Sequence, residues 1–306
     1  MRKLVILGFL LPFCVYLATA LESNSSHSSS IILNDNSASD DCRDHLRVGD
    51  EDYRTNLRDE ESKTIPNQPL TITAEQNGGI QVTTWDKPEV GLKLCKQVAA
   101  DDENEGRKVL AETHLEINGS NITVHTPEGN HHSLGTVLLV KTPKNANLNL
   151  HVNNGGISLN GFTGTAEAHA QNGGISFKQS TGTLTAKAQN GGISIKDCGG
   201  EVNATVENGG LSITLPEHWE GKGLEAHARN GGLVVAVPKN FNGGLEVVAS
   251  EYTSIICKDE VCNAGERTWD NGHKLFRLGG SNPQVRAQTE NGGIVIEERG
   301  HSHGEL

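Results

Sequence analysis

The tripeptide Asn-Gly-Gly begins at Asn154, Asn172, Asn190, Asn208 and Asn230, at spacings of 18, 18, 18 and 22 residues. A further copy starts at Asn291, and an earlier one, Asn77-Gly78-Gly79, stands well upstream. Equal spacing of this kind marks stacked units, none of which can bury its apolar face alone. The unit NGGISFKQSTGTLTAKAQ, from Asn172 to Gln189, shows how it works. Asparagine followed by two glycines supplies a tight corner. Ile175 and Phe177 then alternate with Ser176 and Lys178, as on a half-buried strand. Gly182 marks a second corner, after which Leu184, Ala186 and Ala188 alternate with Thr183, Thr185 and Lys187. Each unit therefore makes two short strands with one apolar face each. Identical positions would lie above one another at a strand spacing of ~4.8 Å.

The expected fold is all-β, a parallel β-solenoid or β-helix-like stack of Asn-Gly-Gly coils 18–22 residues long. Its structural corners are Asn77, Gly78, Gly79, Asn154, Gly155, Gly156, Asn172, Gly173, Gly174, Asn190, Gly191 and Gly192. The series continues with Asn208, Gly209, Gly210, Asn230, Gly231, Gly232, Asn291, Gly292 and Gly293. The corner asparagines are expected to stack as a ladder. A meander of hairpins is the competing geometry, because Asn-Gly is also a hairpin signal. The parallel coil is preferred, since each corner follows two strands in the same order. One short helix is expected near 101–114, where helical spacing begins with acids. Small inward residues suit a thin coil interior and account for an aromatic content of only 4 %.

Residues 1–20 read as a signal peptide: Arg2 and Lys3, an apolar run from Leu4 to Leu17, then Ala18-Thr19-Ala20. Residues 21–64 read as a disordered polar leader, 65–299 as the β-strand-repeat domain, and 300–306 as a flexible tail. Within the domain, 154–251 are the regular coils and 252–280 an irregular insertion carrying Cys257 and Cys262. Those two cysteines are expected to form a short disulfide in an oxidising compartment. Cys42, Cys95 and Cys198 remain, and Cys42 could pair with Cys95. The expected location is exported: periplasm, cell surface or secreted. No transmembrane segment is expected after signal cleavage.

Net charge of −12 and few aromatics argue against nucleic acid as a partner. No cofactor and no metal are expected. Calcium-binding β-rolls need an aspartate in each turn, and here isoleucine or leucine follows the glycines. No Walker-type or Gly-x-Ser-x-Gly loop is present. Glu225 and Glu246 read as one coil apart, so that their carboxylates would approach ~5–6 Å, a spacing like that of a retaining glycosidase. The plainer reading makes them surface decoration, with no catalytic residue in the chain. Trp219 and Phe241 each follow a proline at a longer corner. They either cover the core edge or form a binding shelf for sugar or peptide.

QNGGIQVTTWDKPEV at 76–90, LLVKTP at 138–143 and the NGGI/NGGL series from Asn154 to Asn230 resemble the bacterial putative-adhesin family of β-strand-repeat domains, a domain of unknown function. The resemblance covers about 65–299. It implies an exported, largely parallel β-solenoid with an envelope or surface role, and it supplies no catalytic residue. The function expected is a non-catalytic binding or structural role at the cell envelope, with an unidentified envelope protein or glycan as partner. The alternatives are an envelope-stress or signalling accessory that binds another envelope protein, and a β-helix polysaccharide hydrolase or lyase.

Overall fold

The computed structural model describes residues 29–31, 39–48, 53–128, 132–270, 272–279 and 282–300. The signal segment 1–20 and the tail beyond Gly300 lie outside the described residues. Among the described residues the chain is all-β with a long, mostly parallel sheet arrangement and one α-helix, Glu103–Glu112. Long strands Thr165–Asn172, Thr183–Asn190, Glu201–Asn208 and Gly223–Asn230 pair in parallel, each position with its equivalent in the next repeat. Short strands Ile157–Asn160, Ile175–Lys178, Ile193–Lys196, Leu211–Thr214 and Leu233–Val237 form a second parallel ladder. Inward residues of the long strands are mostly small, as in Ala166, Ala168 and Ala170. They pack with larger ones from the short strands, such as Ile175, Phe177 and Ile193, and all are buried. Alternation with period two thus places one face of each strand in a shared core.

The Asn-Gly-Gly corners lie in register along one edge. Asn172 donates its side-chain amide to the Asn154 side chain at 3.0 Å, and the same bond repeats from Asn190, Asn208, Asn230 and Asn291 at 3.0–3.1 Å. Glycine is required here by space. A Cβ on Gly173 would sit 1.7 Å from the Gly155 carbonyl oxygen, and one on Gly191 would sit 2.0 Å from that of Gly173. The opposite edge has its own close approach, where a Cβ on Gly182 would lie 1.8 Å from the Gly164 oxygen.

The first copy, Asn77-Gly78-Gly79, belongs to the same stack. Its strand Leu70–Trp85 runs through both ladders, pairing Leu70–Ala74 with Leu148–Val152 and Ile80–Thr83 with Ile157–Asn160. The chain then leaves the stack to build one end from Glu89–Ala100 and His132–Pro143, antiparallel to each other. The Trp-Asp-x-Pro segment turns this exit: Trp85 donates its indole N–H to the Glu89 carbonyl at 2.8 Å, and its ring lies against Gly91.

The disordered leader must be corrected in its later part. Thr55–Pro66 is a 12-residue strand paired antiparallel with Glu89–Ala100. Upstream, Leu46 and Val48 are buried against Cys95, Ala99 and Val137. A Cys42–Cys95 disulfide fastens this segment. Highly charged residues are ordered here because backbone pairing and a covalent link offset the chain entropy that composition alone leaves unopposed. Buried Lys96 joins the layers. It pairs with Asp59 at 2.6 Å and donates to the carbonyls of Leu110 and Thr113 at the helix C-terminus, each at 3.1 Å.

The other end departs from chain order. Val285–Asn291 and Ile294–Glu298 stack directly on Gly223–Asn230 and Leu233–Val237. Leu245–Ser250 and Ile255–Cys257 lie outside them. The Asn291 copy therefore does not close the stack, and 245–251 does not follow the Asn230 coil in space. The reason is the corner. A neighbour for Asn230-Gly231-Gly232 needs a glycine, and a Cβ on Gly292 would lie 2.0 Å from the Gly231 oxygen. Ser250-Glu251-Tyr252-Thr253 offers none. The insertion 252–280 is also more regular than expected: Glu266–Asp270 and His273–Leu278 form an antiparallel hairpin paired onto Leu245–Ser250.

Candidate functional site

The outward face of the long strands carries rows of polar side chains held in register by the parallel pairing. One row runs His151, His169, Lys187, Thr205, His227 and Gln288. The His151 and His169 rings stack with centroids 5.0 Å apart and planes 16° from parallel. His169 Nε2 lies 2.8 Å from Glu167 Oε1, and Lys187 Nζ lies 3.4 Å from the same oxygen. The hydrogen bond from His169 holds the Glu167 carboxyl below the usual carboxylate range, with Lys187 adding to it. Burial, then the neighbouring His169, lowers the His151 imidazole from its ordinary value. Further along, Arg229 pairs with Glu207 at 2.6 Å, and His227 Nε2 lies 3.1 Å from Glu290. His151 belongs to this row although the tripeptide pattern did not bring it in. It stands 18 residues before His169, so the period itself carries the signal.

The Glu225–Glu246 pair is corrected. Arg286 lies between them, paired by register with both. Glu246 accepts from Arg277 Nε at 2.7 Å and lies 3.7 Å from Arg286 Nε. The two carboxylates are separated by an intervening strand and a cation, because the late strand enters the stack at this level. The shelf of Trp219 and Phe241 is likewise overturned. Both side chains are buried, with ring centroids 6.2 Å apart in an edge-to-face contact. The Trp219 ring lies against Gly221 and Gly243, where a Cβ would meet it at 2.5 and 2.7 Å. These aromatics close the edge of the core where the longer corners open it.

Cys257 and Cys262 are joined as a disulfide. Cys198 is a buried free thiol, its pKa pushed up to about 11 chiefly by burial. Two disulfides are the bonding pattern of an oxidising compartment. Among the described residues, no group of three or more His, Cys, Asp or Glu side chains is gathered closely enough to hold a metal ion. No helix among them is long and apolar enough to cross a membrane.

No protein-family model matches the chain, and no curated protein does. Among solved structures it is similar to a putative cell adhesion protein from Clostridium sporogenes, at 11 % identity and a TM-score of 0.34, covering 79 % of this chain and 100 % of that one. It is also similar to a putative adhesin from Bacteroides fragilis, at 11 % identity and a TM-score of 0.31, covering 78 % and 97 %. A putative lipid binding protein from Parabacteroides distasonis is similar at 12 % identity and a TM-score of 0.29, covering 78 % and 96 %.

Proposed function

We propose that this chain is a non-catalytic, exported β-solenoid of the bacterial cell envelope, with an adhesin-like binding or structural role. The observation that carries the reading is the outward face of the long strands. In-register stacking repeats hydrogen-bonding side chains at strand spacing, ~4.8 Å, across a face where Glu167 pairs with His169 and Lys187, and Glu207 with Arg229. Such a face suits an extended glycan or protein partner contacted at several successive coils. The signal segment 1–20 supports export, and the two disulfides agree with it. On this reading the domain begins before residue 65, since Thr55–Pro66 is part of its sheet.

The test is retention of the mature protein on envelope fractions and whole-cell glycans. Wild type should be retained, and the His169→Ala/Lys187→Ala/His227→Ala variant should lose most of that retention while remaining folded at the assay temperature, as read by circular dichroism. A wild type that binds neither material would sink the proposal. So would a glycan-cleaving activity that disappears in the Glu225→Gln/Glu246→Gln variant.

A further inference from the structure

The hairpin of His114–Asn118 and Asn121–His125 stands at the end of the stack nearest the helix, joined to the long-strand sheet through Leu70–Ala74, so that its exposed side continues the repeat face. His114 and His125 occupy directly opposite positions on its two strands. Their ring centroids are 5.0 Å apart, with planes tilted by 46°. His114 Nδ1 lies 2.8 Å from the Glu112 carbonyl oxygen. A carbonyl can only accept, so Nδ1 carries the proton and Nε2 presents its lone pair. A backbone carbonyl on the far nitrogen is the arrangement that orients and strengthens metal-binding imidazoles. Glu116 Oε1 is 3.9 Å from that Nε2. Both rings line a cavity of about 640 Å³ that Glu75, Glu112 and Glu128 also line. The helix Glu103–Glu112 ends there, adding the partial negative charge of its C-terminus.

We propose that His114 and His125 chelate a first-row divalent cation of the zinc or copper class. A metal ~2 Å from each ring nitrogen places two imidazole centroids about 5 Å apart at a tetrahedral angle. Two imidazoles with nearby carboxylates suit zinc, copper or nickel. Calcium and magnesium prefer all-oxygen shells. The site would have two protein ligands, His114 and His125, with rings already at the required centroid separation. Water fills the remaining positions, or Glu116 does after side-chain rotation. The surrounding carboxylates raise the local concentration of cations without ligating them.

The experiment is calorimetric titration of tag-free protein with zinc chloride and, separately, copper chloride. One equivalent should bind. His114→Gln and His125→Gln should each weaken binding more than about 100-fold, and Glu116→Gln about tenfold. The His301→Ala/His303→Ala and His131→Ala/His132→Ala variants should bind as wild type does. Both site imidazoles are exposed, so circular dichroism of the single variants should match wild type. Copper broadening of histidine NMR signals in the unmutated protein provides an independent reading, with His114 and His125 broadened first. Wild type without binding, binding unchanged in either Gln variant, loss in the tail or His131/His132 variant, or broadening confined to other histidines would each overturn the site.

Discussion

The middle of this molecule and its two ends are held by different means. In the middle, from Asn154 to Val237, identical residues sit above one another. Cohesion there comes from a shared apolar core, an asparagine ladder and glycines that let backbones touch. Its one cysteine, Cys198, is unpaired. At the ends, antiparallel strands replace repetition, and both disulfides are found there. Repetition makes covalent links unnecessary wherever each unit has two like neighbours. Where the series stops, a strand must be anchored by other chemistry.

The sharpest break of that contrast is a pair of glycine substitutions. Gly191→Val places atoms where the Gly173 carbonyl already stands and should cost about 4 kcal/mol or more, lowering hydrogen-exchange protection across neighbouring coils. Gly272→Val, in the end hairpin, meets nothing within 4 Å and should cost only the ~1–2 kcal/mol of a left-handed backbone, with a local footprint. Equal losses at both sites would refute the distinction between glycine kept for space and glycine kept for φ.

Next come the disulfides. Cys42–Cys95 spans 53 residues and Cys257–Cys262 only 5. The loop-entropy model assigns them about 4 and 2 kcal/mol respectively. Replacing each pair with alanine and comparing denaturant midpoints should give that order, with the middle coils protected in both variants. Asn190→Ala should cost about 1 kcal/mol, since it removes two ladder bonds on an exposed edge. No change in that variant's midpoint would relegate the ladder to decoration.

The smallest effect expected is one of pH. The folded His151 imidazole titrates below its unfolded value, so the unfolded chain binds the extra proton first. Its contribution is complete above about pH 6.5 and is lost as pH falls through the depressed folded value. Glu167, also lowered, adds a second loss in the more acidic carboxylate range. His151→Gln should flatten the first limb and leave the second, as read from unfolding midpoints against pH.

The middle was legible from its sequence because its physics is local and repeated. Ile175, Leu184 and their equivalents announce their burial by alternation alone. The ends were not, since their structure depends on which segments meet. Thr55–Pro66 reads as a charged tether until Glu89–Ala100 supplies its partner. Trp219 and Phe241 look alike as shelf or plug until Gly221 and Gly243 show where the indole rests. The tripeptide itself also misleads out of context: Asn242-Gly243-Gly244 precedes a long strand instead of following one, so it turns the opposite edge. The polar row on the middle face follows from the period itself, which sets His169, Lys187, Thr205 and His227 at equivalent positions of successive repeats. Arg277 and Arg286 beside Glu246 were hidden, because they arrive from the late segment. His114 and His125 stand 11 residues apart on two strands, a spacing that carries no metal signal before the hairpin closes.

The late strand pair bears on the order in which the protein is made. Synthesis delivers Leu245–Ser250 before Val285–Asn291, yet the later segment takes the inner place. Leu224 and Leu245 both pair with Val285, from opposite sides. Until Val285 emerges, the edge at Leu224 is therefore open to Leu245 in the register that Val285 will occupy. That shortcut is poor at the corner, where Glu251 and Tyr252 would have to nest against Gly231 without a glycine of their own. It is left easy to displace. The missing glycine would thus act in time as well as in space, disfavouring the early segment at the edge that the later one finally takes.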